Sequence, residues 1–115
     1  MDGQDVLRET ARLIEQGWCQ HADARDPSGT AVTASDPSAT AWSLTAALAL
    51  ASDTPKAEPT ALRDALWGIS AAIPDSSLDA WNNAPNRTQT ETLQMLTHAS
   101  TSLHQQPPPN PWPAE

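Results

Sequence analysis

The chain has 115 residues and a formal charge of −8, from 14 acids against 6 bases; its only aromatics are five tryptophans. That length fits one domain with one modest core. Without clustered Lys and Arg the chain is unsuited to gripping phosphates, which argues against direct nucleic-acid binding and against docking on anionic membranes.

A helix is expected over residues 3–16. Leu7, Ala11, Ile14 and Trp18 recur at helical spacing, and Val6 and Leu13 widen the stripe. Asp2 or Asp5 caps the start. Gly17 is read as the left-handed stop, with Trp18 packing back on Leu13. Asp26-Pro27-Ser28-Gly29 is a turn, since Pro suits the second turn position and Gly the last. Its flanks, Cys19 to Arg25 and Thr30 to Thr33, form a short β-hairpin; an extended loop is the competing reading.

Asp36-Pro37 reads as a second helix start, with Asp as N-cap and Pro at the first helical position. That helix runs to about Ala51 and, with small residues on most sides, sits at the centre of the bundle. A third helix is expected from about Pro59 to Ile73, where Pro74 stops it. Its core stripe is Leu62, Leu66, Ile69 and Ile73, with Trp67 on an adjacent face. Ser76 or Ser77 caps a short helical turn through Trp81. Asn82 to Arg87 is a turn-rich loop. Thr88 and Glu91 make a capping box for a final helix to about His104, lined by Thr92, Leu96, Ala99 and Leu103. The segment 105–115 holds five prolines and is expected to be a polyproline-type or disordered tail. No internal repeat is read. The expected fold is thus mostly α: a four-helix single domain over residues 1–104, with a small β-hairpin between helices 1 and 2.

Catalytic signatures are missing from the sequence. There is no phosphate-binding glycine loop, nucleophile elbow or metal motif. The lone Cys19 excludes an internal disulfide and a Cys-rich zinc site, and His21, His98 and His104 lack ligand spacing. No cofactor and no metal are expected. Cys19 and His21 form the nearest approach to a nucleophile–base pair, but packing and exposure account for them more simply. Asp23, Arg25 and Asp26 read as solvated charge rather than a calcium loop. The start MDGQDVLRE lacks a basic and an apolar region, and no apolar stretch approaches the roughly 20 residues of a membrane helix. A cytoplasmic protein is expected.

Trp18 and Trp42 read as core filling. Trp81 differs, because Asn82, Asn83, Arg87 and Thr88 follow it. An aromatic beside amides and an arginine at a helix start makes a recognition surface; the competing reading is a loop anchor. Pro108 to Pro111 is a PxxP pattern with Trp112 next, the type of segment that docks in aromatic-lined grooves.

Three elements carry a resemblance over about residues 5–103. They are Trp18-Cys19-Gln20-His21-Ala22, then Trp42-Ser43-Leu44-Thr45-Ala46-Ala47 after an acidic turn, and Trp81-Asn82-Asn83-Ala84-Pro85-Asn86-Arg87-Thr88. The chain resembles an uncharacterised family of small proteins from actinobacteria and their phages, whose members show W-C/T-Q-G-A, W-C-x-x-G-A and W-N-D-x-x-x-R-T. His21 stands where Gly is usual, Ser43 where Cys is common, Ala46 where Gly is usual and Asn83 where Asp is usual. The resemblance implies a domain identity and no activity; its phage association implies, by analogy, an inhibitor or accessory protein.

The functional expectation is a non-enzymatic module that binds another protein through Trp81, Asn82, Asn83, Arg87 and Thr88, with His21 and Asp23 nearby. The alternative is a small hydrolase or ligand-binding enzyme, its pocket between the hairpin and the Trp81 loop using His21, Asp23 and Arg87. A weaker alternative is an acidic mimic of nucleic acid.

Overall fold

The computed structural model describes residues 1–74 and 77–106. The expected tail from residue 107 onward therefore lies outside the described residues. Among the described residues there are five helices: α1 (Gly3–Gln16), α2 (Leu44–Ser52), α3 (Ala61–Ala72), α4 (Leu78–Asn82) and α5 (Gln89–Gln105). The mostly α class holds, and the expected short turn after Ser77 is a helix in its own right, α4, which raises the expected count of four to five. Three two-residue strands, β1 (Ala24–Arg25), β2 (Ala31–Val32) and β3 (Ala41–Trp42), complete the fold.

Local chemistry starts the long helices where expected. The Asp2 side chain accepts from the Asp5 backbone N–H while the Asp5 carboxylate accepts from that of Asp2. Thr88 and Glu91 make the same reciprocal pair at α5. α1, and not α2 as its small residues suggest, is the central helix, packing on α2, α3 and α5. Val6, Leu7, Thr10 and Ile14 are buried on it, and the Thr10 hydroxyl donates to the Val6 carbonyl at 2.7 Å.

α3 corrects the expected stripe. Leu62 and Leu66 are 41% and 38% exposed, and the buried face is Ala61, Ala65, Gly68 and Ile69. Close approach explains the choice. A Cβ on Gly68 would stand 2.6 Å from the Ala99 carbonyl oxygen of α5, closer than any real contact. Small residues let the two backbones meet, so volume overrides hydrophobicity in selecting the inward face.

The region between α1 and α2 differs most from expectation. Gly17 is extended (φ −178, ψ 138), with no left-handed stop. It is needed for space, because a Cβ there would lie 2.1 Å from the Thr40 carbonyl oxygen. The chain then runs beside β3: Trp42 N–H donates to the Gly17 carbonyl at 3.0 Å, and Cys19 N–H to that of Trp42 at 3.1 Å. β1 is the middle strand, antiparallel to both β2 and β3. The expected hairpin is therefore the first half of a three-stranded sheet.

The third strand comes from residues read as the start of helix 2. Asp36 caps no helix. Its carboxylate accepts from the Ser38 N–H at 2.8 Å and the Ser38 hydroxyl at 2.6 Å, closing a turn. Asp26 does the same with Ser28, at 2.9 and 2.7 Å. The sequences are parallel as well: Asp26-Pro27-Ser28-Gly29-Thr30-Ala31-Val32 recurs as Asp36-Pro37-Ser38-Ala39-Thr40-Ala41-Trp42. Each copy is a turn followed by a strand, and the two strands pair with opposite edges of β1. An internal repeat exists where none was read. α2 begins later, capped by the Ser43 side chain, which accepts from the Ala46 N–H.

Candidate functional site

The loop after α1, the end of β3 and helix α4 meet at one side chain, Asn82. It is fully buried. Its Oδ1 accepts from the Trp18 indole N–H at 2.7 Å and from the Leu44 backbone N–H at 3.0 Å. Its Nδ2 donates to the Cys19 carbonyl at 3.1 Å and to Asn83 Oδ1 at 3.0 Å. Two acceptor sites and two donor hydrogens are all used, which is the full capacity of an amide. A carboxylate of the same shape would supply only acceptors.

The shell around it is wired in the same way. Gln20 Nε2 donates to the carbonyls of Asn82 and Ala84, at 2.9 and 3.0 Å. Asn83 Oδ1 also accepts from the His21 N–H at 2.9 Å. His21 holds φ at 64°, in the left-handed region, where glycine sits without cost. Trp81 is 6% exposed, so its ring belongs to the core. The Arg87 guanidinium lies 3.9 Å from its ring centroid, Arg87 Nε donates to the Trp81 carbonyl at 2.9 Å, and Glu91 stands 3.6 Å away.

This geometry revises the expected recognition surface. Trp81 and Asn82 are inside the protein, Arg87 is folded over Trp81, and Thr88 caps α5. Trp81, Asn82 and Arg87 hold the junction, while Thr88 is exposed and starts the next helix. His21 and Asp23 are exposed and Asn83 is half-buried. With Ala22, Ser43 and Asp79 they line a shallow polar cleft of about 260 Å³. Arg87 is not among its walls, so His21, Asp23 and Arg87 do not converge in one pocket. Asp79, which the sequence reading missed, is tied down by the Thr45 hydroxyl at 2.7 Å. No local pattern marks Asp79, and the roles of Asp79 and Gln20 depend on partners far along the chain, Thr45 for the first and the Asn82 and Ala84 carbonyls for the second.

Cys19 is buried, its thiol 3.6 Å from the Ala22 carbonyl. Burial pushes its pKa up, with the Asp23 charge adding and Arg25 opposing. The thiolate is thus disfavoured, and Cys19 has the environment of a packing residue. Arg25 donates to the carbonyls of Gly29 and Gln20, bracing the turn. Among the described residues, no group of three or more His, Cys, Asp or Glu side chains is placed to hold a metal, and no helix is long and apolar enough to cross a membrane.

A family of unknown function (DUF6197) matches residues 2–102. The chain belongs to that family. The match spans both the helical body and the whole Asn82 junction. No curated protein and no solved structure matches the chain. Membership in DUF6197 thus carries a domain identity without an assigned activity.

Proposed function

We propose that the chain is a non-enzymatic protein-binding module that occupies a partner's surface through the cleft beside the Asn82 junction. The observation that carries this reading is the cleft wall. Two carboxylates, Asp23 and Asp79, stand there with the His21 ring, the Ser43 hydroxyl and the Asn83 amide, and no Lys or Arg lines it. Such a wall suits a lysine or arginine side chain of a partner protein. Its backbone is pre-organised by Asn82 and Gln20, so little ordering cost remains on binding. The net charge of −8 steers a basic partner toward it. The resemblance to phage-associated proteins supports a phage-encoded inhibitor or accessory role in the cytoplasm.

A second reading, a small ligand-binding enzyme or hydrolase, draws on the same cleft, which lies where that pocket was expected. It lacks Arg87, whose guanidinium is engaged by Trp81 and Glu91. The test is quantitative recovery of partners from host lysate by the full chain and by Asp23→Lys. The reading expects a discrete partner whose retention falls with salt and is lost on charge reversal, while circular dichroism stays unchanged. Identical retention by both proteins would refute it.

A further inference from the structure

The cleft wall offers donors as well as acceptors. Asn83 Oδ1 accepts from Asn82 Nδ2 at 3.0 Å and from the His21 backbone N–H at 2.9 Å. Both bonds fall on the oxygen, which fixes the amide's orientation and leaves Nδ2, with its two hydrogens, as the unused end. Ser43 is only 5% exposed, yet it lines the cleft. Its Oγ accepts from the Ala46 N–H at 3.2 Å, and a hydroxyl that accepts still has a proton to give. Among the described residues nothing accepts from the Ser43 hydroxyl or from Asn83 Nδ2. On the acceptor side, one Asp79 oxygen takes the Thr45 hydroxyl, and the other is unused among the described residues. The Asp23 carboxylate is exposed beside it. Charged acceptors and neutral donors thus share one cleft of about 260 Å³.

Resting on the reading that this cleft receives a cation of a partner protein, we propose that the cation is the α-ammonium of the partner's N-terminal residue. Asp23 and Asp79 accept from the ammonium, and the Ser43 hydroxyl and Asn83 Nδ2 donate to the carbonyl oxygen of the same residue. The first residue of a chain carries these two groups about 3 Å apart, so it answers both halves of the wall at once. A lysine ammonium stands at the end of a four-carbon stem, far from its own carbonyl, and an arginine guanidinium has donors only. Either would satisfy the carboxylates and leave the buried Ser43 proton without an acceptor, which weakens binding. A free amino acid fits less well than a chain, because its carboxylate would face Asp23 and Asp79, whereas a peptide carbonyl is neutral.

Titration of the full chain with short peptides, followed by nuclear magnetic resonance, tests this. The probes are trialanine amide with a free N-terminus, its N-acetyl form, and N-acetylated alanyl-lysyl-alanine amide. The free-amine probe should bind roughly tenfold more tightly than either acetylated one, the ratio expected of one well-made charge-assisted hydrogen bond. It should also shift the Asn83 side-chain amide signals. Asn83→Asp keeps the acceptor used by Asn82 and His21 but removes the donor. Its preference for the free amine over the lysine probe should therefore fall several-fold, although the cleft has become more negative. Asp23→Asn should weaken both cationic probes. Equal binding of the free-amine and lysine probes, or an undiminished preference in Asn83→Asp, overturns the N-terminal assignment and leaves the cationic reading standing. No response to either cationic probe overturns both. Tighter binding of free alanine than of the peptide overturns the assignment to a partner chain.

Discussion

The helical body and the Asn82 junction hold together by different physics. In the body, α1, α3 and α5 bury Val6, Leu7, Ile14, Ile69 and Leu96 against one another, and stability is spread over many non-directional contacts. In the junction, segments up to 64 residues apart meet through one amide and the carbonyls around it. A side chain of similar volume can replace another in the first region. In the second, each donor and acceptor has a fixed address, and shape alone preserves nothing. The junction is therefore the more brittle of the two.

The sharpest way to break this contrast is an isosteric change in each region. Asn82→Asp keeps the shape but faces an acceptor toward the Cys19 carbonyl and Asn83 Oδ1; it should cost about 3–5 kcal/mol in denaturant unfolding. Ile69→Leu, equally buried, should cost less than about 1.5 kcal/mol. If the two losses proved equal, the distinction would collapse. Gly68→Ala comes next, at about 1–3 kcal/mol, because α3 must move off the Ala99 carbonyl. Thermal unfolding of the variant reads it.

His21→Gly should act in the opposite direction, stabilising by about 1 kcal/mol as the left-handed backbone loses its Cβ clash. An unchanged or lower unfolding midpoint would show that the His21 ring contributes more than it strains. The smallest effect concerns pH. Hydrogen bonds from Ser28 hold Asp26 below the usual carboxylate range, and those from Ser38 do so for Asp36. Backbone bonding at the α1 cap lowers Asp5 in the same direction. A lowered folded pKa contributes stability above the unfolded value and loses it as pH falls through the lowered one. Unfolding midpoints should be flat near neutrality and decline below about pH 4. Asp26→Asn and Asp36→Asn should each flatten that decline slightly.

Much of the body was legible because its instructions are local. The two capping boxes place both partners within three residues, and α1 and α5 begin where those boxes predict. Asp36-Pro37 misled for the same reason: an Asp-Pro pair suits a helix start and a turn equally. The earlier copy at Asp26 already had the turn's chemistry, and alignment of the two would have revealed the third strand. Leu62 and Leu66 misled because periodicity counts apolar residues and ignores how closely two backbones must pass.

For the site, the sequence alone singled out Trp81, Asn82, Asn83 and Arg87 as belonging together, along with His21 and Asp23 at the opposite loop. It also determined the helix starts, since a cap needs only neighbours a turn away. Only the tertiary structure decided which of those residues face inward. Asn82 reaches Trp18, Cys19 and Leu44 across separations of 64, 63 and 38 residues, and nothing local encodes an amide's distant partners. Burial of an amide is favourable only when every donor and acceptor is satisfied; the fold meets that condition at Asn82 and leaves His21 and Asp23 exposed and Asn83 half-buried along the cleft.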